Sequence, residues 1–157
     1  MTITLREIQV TDYSKEKQTL YSLVEEIWTR DESLDNIKHS LDRWGESGNE
    51  TGTYFYIEQD GRTIGLTGYF IPNEDGDFGL RHHGTKVKGT GKLALDELLN
   101  YLKNAYESSF KRLIELIPEG KEELIQKFES WGFILSQEAV PWEPKKDYYK
   151  YVMIWSE

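Results

Sequence analysis

Cysteine is absent from this chain. That removes disulfide staples, a thiolate nucleophile and thiolate metal ligands together, and it says nothing about redox compartment. Histidine is scarce, with three residues, and H-E-x-x-H does not occur, so no zinc site is expected. No apolar run approaches the roughly 20 residues that span a bilayer. The first residues, "MTITLREIQV", lack the apolar core of a signal peptide. Positive charge is in deficit: 19 basic residues stand against 28 acidic ones, a net charge of −9. Such a surface disfavours nucleic acid and anionic membranes, and at long range it favours a cationic substrate. Repeats, low-complexity tracts and linkers are missing too. The expectation is a cytoplasmic protein with one domain over residues 1–157, a length that allows a real core.

What is present is strong periodicity. "ITLREIQV" alternates through Ile3, Leu5, Ile8 and Val10 and reads as a first strand. Residues 14–28 place Leu20, Leu23, Val24 and Ile27 at helical spacing. A second helix fits Leu34, Ile37, Leu41 and Trp44, with Asp31 or Ser33 as its cap. After the break "SGNETG", two strands flank Asp60-Gly61, a hairpin signature. "PNEDGD" is a turn, and "FGLRHHGT" a short strand. A helix follows with Leu95, Leu98, Leu99, Leu102 and Ala105 on one face. "FKRLIELI" is a strand closed by Pro118 and Gly120. "KEELIQKFESWGF" is a helix stopped by a left-handed Gly132. "ILSQEAV" and "YYKYVMIW" are final strands joined by the turn-rich "PWEPKKD", where Lys145 and Lys146 read as solvated loop. The order is β-α-α-β-β-β-α-β-α-β-β. Strand–helix–strand passages require crossovers, so the class is α/β (α+β), a mixed sheet with helices on its faces.

The stretch "KVKGTGKLALDELL" (86–99) carries the chemistry. Glycines let a backbone approach a ligand closely, and the free amides of a helix start suit an anion such as pyrophosphate. Lys86, Lys88 and Lys92 add local positive charge. A nucleoside-triphosphate loop is a poor match. Gly84 and Gly89 have its spacing, but Thr90 stands where lysine is required, and Leu93 follows Lys92, so the metal-binding hydroxyl is missing. The bland alternative is a glycine-softened turn before a helix.

Lys86-Val87-Lys88-Gly89-Thr90-Gly91 resembles the acetyl-CoA signature [R/Q]-x-x-G-x-[G/A] of the GNAT N-acetyltransferase superfamily, with lysine in the first position. "KFESWGF" (127–133) resembles the family's later "[LF]YEKxGF", and the element order agrees over nearly the whole chain. The resemblance implies a mostly antiparallel sheet of about seven strands flanked by about four helices. It implies acetyl-CoA as acetyl donor and no metal. The amides from Val87 to Lys92 would hold the pyrophosphate. The strand through Leu80, Arg81 and His82 would splay from "LIELI" and take the pantetheine arm in the gap. A neutral primary amine of a small molecule or protein would attack the thioester directly. Two positions depart from the family: its acid tyrosine falls on Phe128, beside the cofactor, and a frequent asparagine falls on Lys121.

Among the residues themselves, His82 and His83 flank the signature strand and titrate near neutrality, so either could take the amine proton. Glu115 stands mid-strand between Ile114 and Leu116. It would serve as a base if it faces the cleft and as a solvated residue if it faces out. The aromatics Tyr54–Tyr56, Tyr148, Tyr149 and Tyr151 pack a sheet or line a cleft for a cation. "EDGD" (74–77) is a solvated turn or an acidic lip for a positive acceptor. The competing class is a non-catalytic CoA-binding or protein-interaction module on the same fold; a nucleotide-binding protein is a remote third.

Overall fold

The computed structural model describes residues 2–29, 34–47, 52–72, 74–142 and 145–157, with backbone alone for 137–142 and 145–150. In chain order its elements are β1 (Ile3–Glu7), α1 (Tyr13–Ile27), α2 (Leu34–Asp42), β2 (Gly52–Gln59), β3 (Arg62–Phe70), β4 (Asp77–Leu80), β5 (Gly84–Thr85), α3 (Gly91–Tyr106), β6 (Arg112–Pro118), α4 (Glu123–Ser130), β7 (Ile134–Trp142) and β8 (Lys145–Ser156). They form two compact units that interleave in sequence. One holds Met1–Phe70 and Arg81–Ala105, the other Ile71–Leu80 and Tyr106–Glu157. No helix among the described residues is long and apolar enough to cross a membrane.

In the first unit β1, β2 and β3 form an antiparallel ladder, with β5 bridged to β3. The β2–β3 hairpin turns on Asp60 and Gly61, both at positive φ (50° and 84°), and the flanking pair is Gln59↔Arg62. Two successive left-handed residues match the right-handed twist of the strands, and Asp and Gly tolerate that geometry best. Alternation along β2 divides its rings between two faces. Tyr54 and Tyr56 join Leu20, Leu23 and Val24 of α1, Ile37 and Leu41 of α2, and Trp44. Ile57 and Ile64 join Ala94 of α3 on the other, and Phe55 meets Tyr101 edge-on at 5.0 Å.

Tyr13 and Tyr21 of α1 both donate hydroxyls to the carboxylate of Asp42 at the end of α2. Gly45 follows in a short π-type turn, where a Cβ would lie 2.1 Å from the Tyr13 ring. The turn can close on that ring only with glycine.

Three sequence expectations change here. Val10 is 40% exposed in a short 3-10 turn, because the chain leaves the sheet after Glu7. Ala105 is exposed, because α3 has passed its packed partners by its last turn; Ala94 takes the buried place instead. Asp31 and Ser33, the candidate caps of α2, lie outside the described residues.

The second unit is a four-stranded sheet in the order β4-β6-β8-β7. The β4–β6 pair is parallel, as the α3 crossover demands, and the other two pairs are antiparallel. Asp77, 7% exposed, accepts from Nε and Nη2 of Arg112 at 2.7 and 2.6 Å. Phe78 sits edge-on to Tyr106 and Phe110, and Phe110 stacks on Trp155.

The helix α4 ends as its sequence foretells. Gly132 has φ 98°, its N–H reaches Glu129 O, and Phe133 N–H reaches Phe128 O. These are the two bonds of a Schellman stop, and the Phe128–Phe133 ring pair at 5.1 Å supplies its apolar contact. The loop expected around "PWEPKKD" is mostly ladder. The β7–β8 register includes Pro141↔Tyr149 and Trp142↔Lys145, so Lys145 and Lys146 are strand rather than solvated loop. Cross-strand pairing overrides local turn preference there. Pro141 is accommodated because β7 is outermost in this ladder and needs no donor on its far side.

Candidate functional site

The signature loop is built on the edge of β3. Gly84 and Thr85 pair with Leu66 and Gly65, and Lys86 N–H reaches Ile64 O at 2.8 Å. A Cβ on Gly84 would fall 2.7 Å from Trp28 and 2.9 Å from Ile27, so the glycine lets the end of α1 pack against the loop. The chain then reverses through Gly89, whose φ of 84° excludes most other residues and whose Cβ position has open space around it.

Thr90 is the residue before α3, because its carbonyl accepts from Ala94 N–H. A threonine there commonly caps the helix by accepting from one of its first amides. This one turns back. Its hydroxyl donates to Val87 O at 2.6 Å and lies 2.8 Å from the Thr85 hydroxyl. The first-turn amides of Gly91, Lys92 and Leu93 have no carbonyl partner within their own helix. They carry the positive end of its dipole, a setting for an anion.

His83 fixes the same turn from the side. Its Nε2 is 2.8 Å from Gly91 O, and its Nδ1 is 2.8 Å from the Thr67 hydroxyl. A carbonyl only accepts, so Nε2 carries the proton, and in the neutral ring Nδ1 accepts from Thr67. Two of the three loop lysines are tied: Lys86 to Glu26 at 2.8 Å, and Lys92 to Asp96 one turn on. Both pairs are largely exposed, so an arriving anion can redirect the ammonium groups at little cost.

His82 has φ 42°, outside the usual range for a residue with a side chain, and its ring stacks on Tyr54 with planes 2° apart. Arg81 is 9% exposed, with its guanidinium over the rings of Tyr54 and Phe70 and its N–H on Gly68 O. The structure thus brings Arg81, His82 and the whole segment Lys86–Lys92 into the first unit. Leu80, Glu115 and Phe128 belong to the second.

In that second unit Glu115 is half-buried, and its Oε1 accepts from the adjacent Leu116 N–H at 3.0 Å. Phe128 is 6% exposed, edge-on to Trp131 and Phe133. Its ring is committed to the helix stop. Lys121 lies in the turn before α4, with its N–H on Pro118 O. Two contacts of these residues escape the sequence: the His83–Gly91 tie and the Glu115–Leu116 bond. Both depend on which strand runs beside which. Among the described residues no cluster of three or more His, Asp or Glu could hold a metal ion.

Compared by sequence, the chain matches no family model and no curated protein. Compared by fold, it superposes on the aminoglycoside acetyltransferase AAC(6')-Ib in complex with coenzyme A and kanamycin. The TM-score is 0.70 at 18% identity, over 99% of this chain and 95% of that one. The same enzyme with ribostamycin and coenzyme A gives 0.72 at 16% identity, over 100% and 94%. The dodecameric spermidine N-acetyltransferase of Vibrio cholerae gives 0.66 at 14%, over 98% and 93%. Identities this low speak for architecture, and the architecture of this chain is the GNAT-type N-acetyltransferase fold.

Proposed function

We propose that the chain is an acetyl-CoA-dependent N-acetyltransferase acting on a primary amine of a small molecule or protein. One observation carries the reading. The hydroxyl before α3 is turned away from the helix, which leaves the first-turn amides beside Gly89 for a pyrophosphate. Val87 to Lys92 hold that group, and Lys86 and Lys92 add charge by leaving Glu26 and Asp96. The opening between β4 and β6 takes the pantetheine arm, with Leu80 at its edge.

The reaction is a direct transfer. A neutral amine adds to the thioester carbonyl, forming the C–N bond, and an amide N–H stabilises the oxyanion. The C–S bond then breaks, the ammonium loses its proton, and the thiolate gains one. His82 or Glu115 accepts the amine proton. Nothing at position 128 can protonate the thiolate, but a thiol with a pKa near 8.5 departs readily without help. The net charge of −9 favours a cationic acceptor. Polyamines and aminoglycosides, which the similar enzymes are named for, are acceptors of that kind. Use of acetyl-CoA supports a cytoplasmic setting for this reading.

The second reading is a CoA-binding module without catalysis, favoured by the buried Phe128 where the family has its acid. Two assays separate the readings. Acetyl-CoA at about a hundred times its dissociation constant should stabilise the protein by about 2.7 kcal/mol, and ATP should not. Stabilisation by ATP alone sinks both readings. Transfer to an amine panel containing spermidine and kanamycin establishes the enzyme. Tight acetyl-CoA binding with no transfer to any amine establishes the module.

A further inference from the structure

The carbonyl that His83 bonds, Gly91 O, is one end of a peptide group whose other end is the amide of Lys92. In a trans peptide the two point in opposite directions. The carbonyl looks along α3 toward its far end, and the Lys92 N–H looks out of the first turn. His83 thus bonds the back of one of the amides assigned above to pyrophosphate. His83, Thr67, Gly91 and Lys92 all belong to the first unit.

The hydrogen bonds behind that amide run in one sense. The Thr67 hydroxyl is 2.8 Å from His83 Nδ1, and His83 Nε2 is 2.8 Å from Gly91 O. A carbonyl only accepts, so Nε2 carries a proton whether the ring is neutral or charged. In the neutral ring each group donates to the next: Thr67 O–H to Nδ1, Nε2–H to Gly91 O, and Lys92 N–H outward from the helix start. Bonds in such a chain polarise one another, by roughly 10–30% each. Thr67 is 0% exposed on β3, so the chain is anchored in the sheet and not in solvent. The place suits histidine, because a neutral imidazole holds one acceptor and one donor on a rigid ring. A carbonyl has two lone pairs, so the bond from His83 leaves Gly91 O able to serve its own helix.

We propose that His83 is a positioning residue of the cofactor cradle. Through Gly91 O it fixes the Gly91–Lys92 peptide and strengthens Lys92 N–H as a donor to the pyrophosphate. This rests on the acetyl-CoA reading above. It gives His83 a part in holding the cofactor and none in moving the amine proton.

The test uses the whole protein, with CoA and with inorganic pyrophosphate as probes. Long-range proton–nitrogen NMR of the natural protein should find a His83 proton on Nε2. A ring protonated on Nδ1 alone overturns the proposal without any variant. CoA should move the Lys92 amide proton downfield. His83→Asn keeps a polar group near the Nδ1 position and loses the reach to Gly91 O. It should bind both probes about twofold to tenfold more weakly, the span of one net hydrogen bond, with a smaller Lys92 shift. His83→Gln sets an amide donor near the Nε2 position and should recover most of both. Natural affinity in His83→Asn overturns the proposal, and so do equal losses in the two variants. CoA-induced shifts that spare Lys92 overturn it and leave CoA binding intact. No CoA-induced shift anywhere sinks the acetyl-CoA reading as well. Dispersed amide spectra check that both variants fold.

Discussion

The hydroxyl of Thr90 bonds the carbonyl of Val87, at 2.6 Å, and so ties the signature turn shut from within. Thr90 is 1% exposed, so the bond is shielded from water. Thr90→Val keeps the shape and removes the shortest donor to Val87 O, which keeps the Thr85 hydroxyl at 3.1 Å. A stability loss of about 1 kcal/mol is expected, with a larger proportional loss of CoA affinity, because the loop amides are no longer held in register. Urea unfolding and calorimetric CoA binding measure the two. Weaker folding with unchanged CoA affinity would remove the loop from the cofactor site.

Gly89 and Gly91 separate backbone strain from ligand contact. Alanine at Gly89 meets no neighbour but must hold φ 84°, which costs about 1–2 kcal/mol. That cost falls on folding. Gly91→Asp places bulk and negative charge among the first-turn amides, where the proposed pyrophosphate would bind. We expect it to fold and to lose CoA binding. Full affinity in Gly91→Asp would locate the cofactor elsewhere.

Tyr13, Tyr21 and Asp42, joined by two hydroxyl–carboxylate bonds, are expected to make the stability of the first unit depend on pH. Burial, and then the hydrogen bond to Asp42, push the Tyr13 phenol well above its ordinary value; Tyr21 is raised for the same reasons. Their contribution is whole below about pH 10 and is lost as pH rises further, because the unfolded phenols ionise first. Burial alone would raise the Asp42 carboxyl, but the bonds from Tyr13, Tyr21 and Lys17 outweigh it and hold the group below 3.8. Its contribution is whole above that value and is lost as pH falls through the lowered one. Urea midpoints from pH 3 to 11 should therefore fall at both ends. Asp42→Ala should cost about 1–3 kcal/mol at neutral pH and flatten both limbs. Limbs of unchanged steepness in that variant would assign them to other groups.

Much of this was readable from the chain. Leu95, Leu98, Leu99 and Leu102 announce α3 because helical burial repeats locally, and Asp60-Gly61 announces its hairpin because two left-handed residues are needed in a row. Gly132 is found for the same reason: its stop needs only its own helix. What stayed hidden depends on distant partners. Lys145 and Lys146 look like loop until β7 is placed beside their strand. His83 looks like a proton acceptor until Thr67 and Gly91 O are seen to take both its nitrogens. Glu115 could face either way in the sequence, and the end of β4 decides what it bonds.

Phe128 gives the last prediction. A tyrosine acid would ionise near pH ~10 and end catalysis above it. Phenylalanine has no proton, and the amine must be neutral to attack. The kcat/KM profile should therefore climb with pH to a plateau and show no fall owed to position 128. In Phe128→Tyr the new hydroxyl enters a ring cluster with Trp131 and Phe133 and costs about 1–3 kcal/mol of stability. No gain in plateau rate is expected. A large gain would show that thiolate departure limits the natural enzyme.

The interleaving of the two units has a consequence for synthesis. Ile71–Leu80 is made before Arg81–Ala105, yet it belongs with residues made afterwards. Asp77 meets Arg112 across 35 positions, so at about 5–20 residues per second β6 leaves the ribosome some 2–7 s behind β4. Through that interval all of α3 is assembled, and only near its end does Phe78 gain Tyr106 and Phe110, with Leu113 following. The first unit can close as soon as Ala105 emerges. The second must wait for nearly all of its own length, so a chain arrested between the two would hold every residue of the first unit before β4 had met β6.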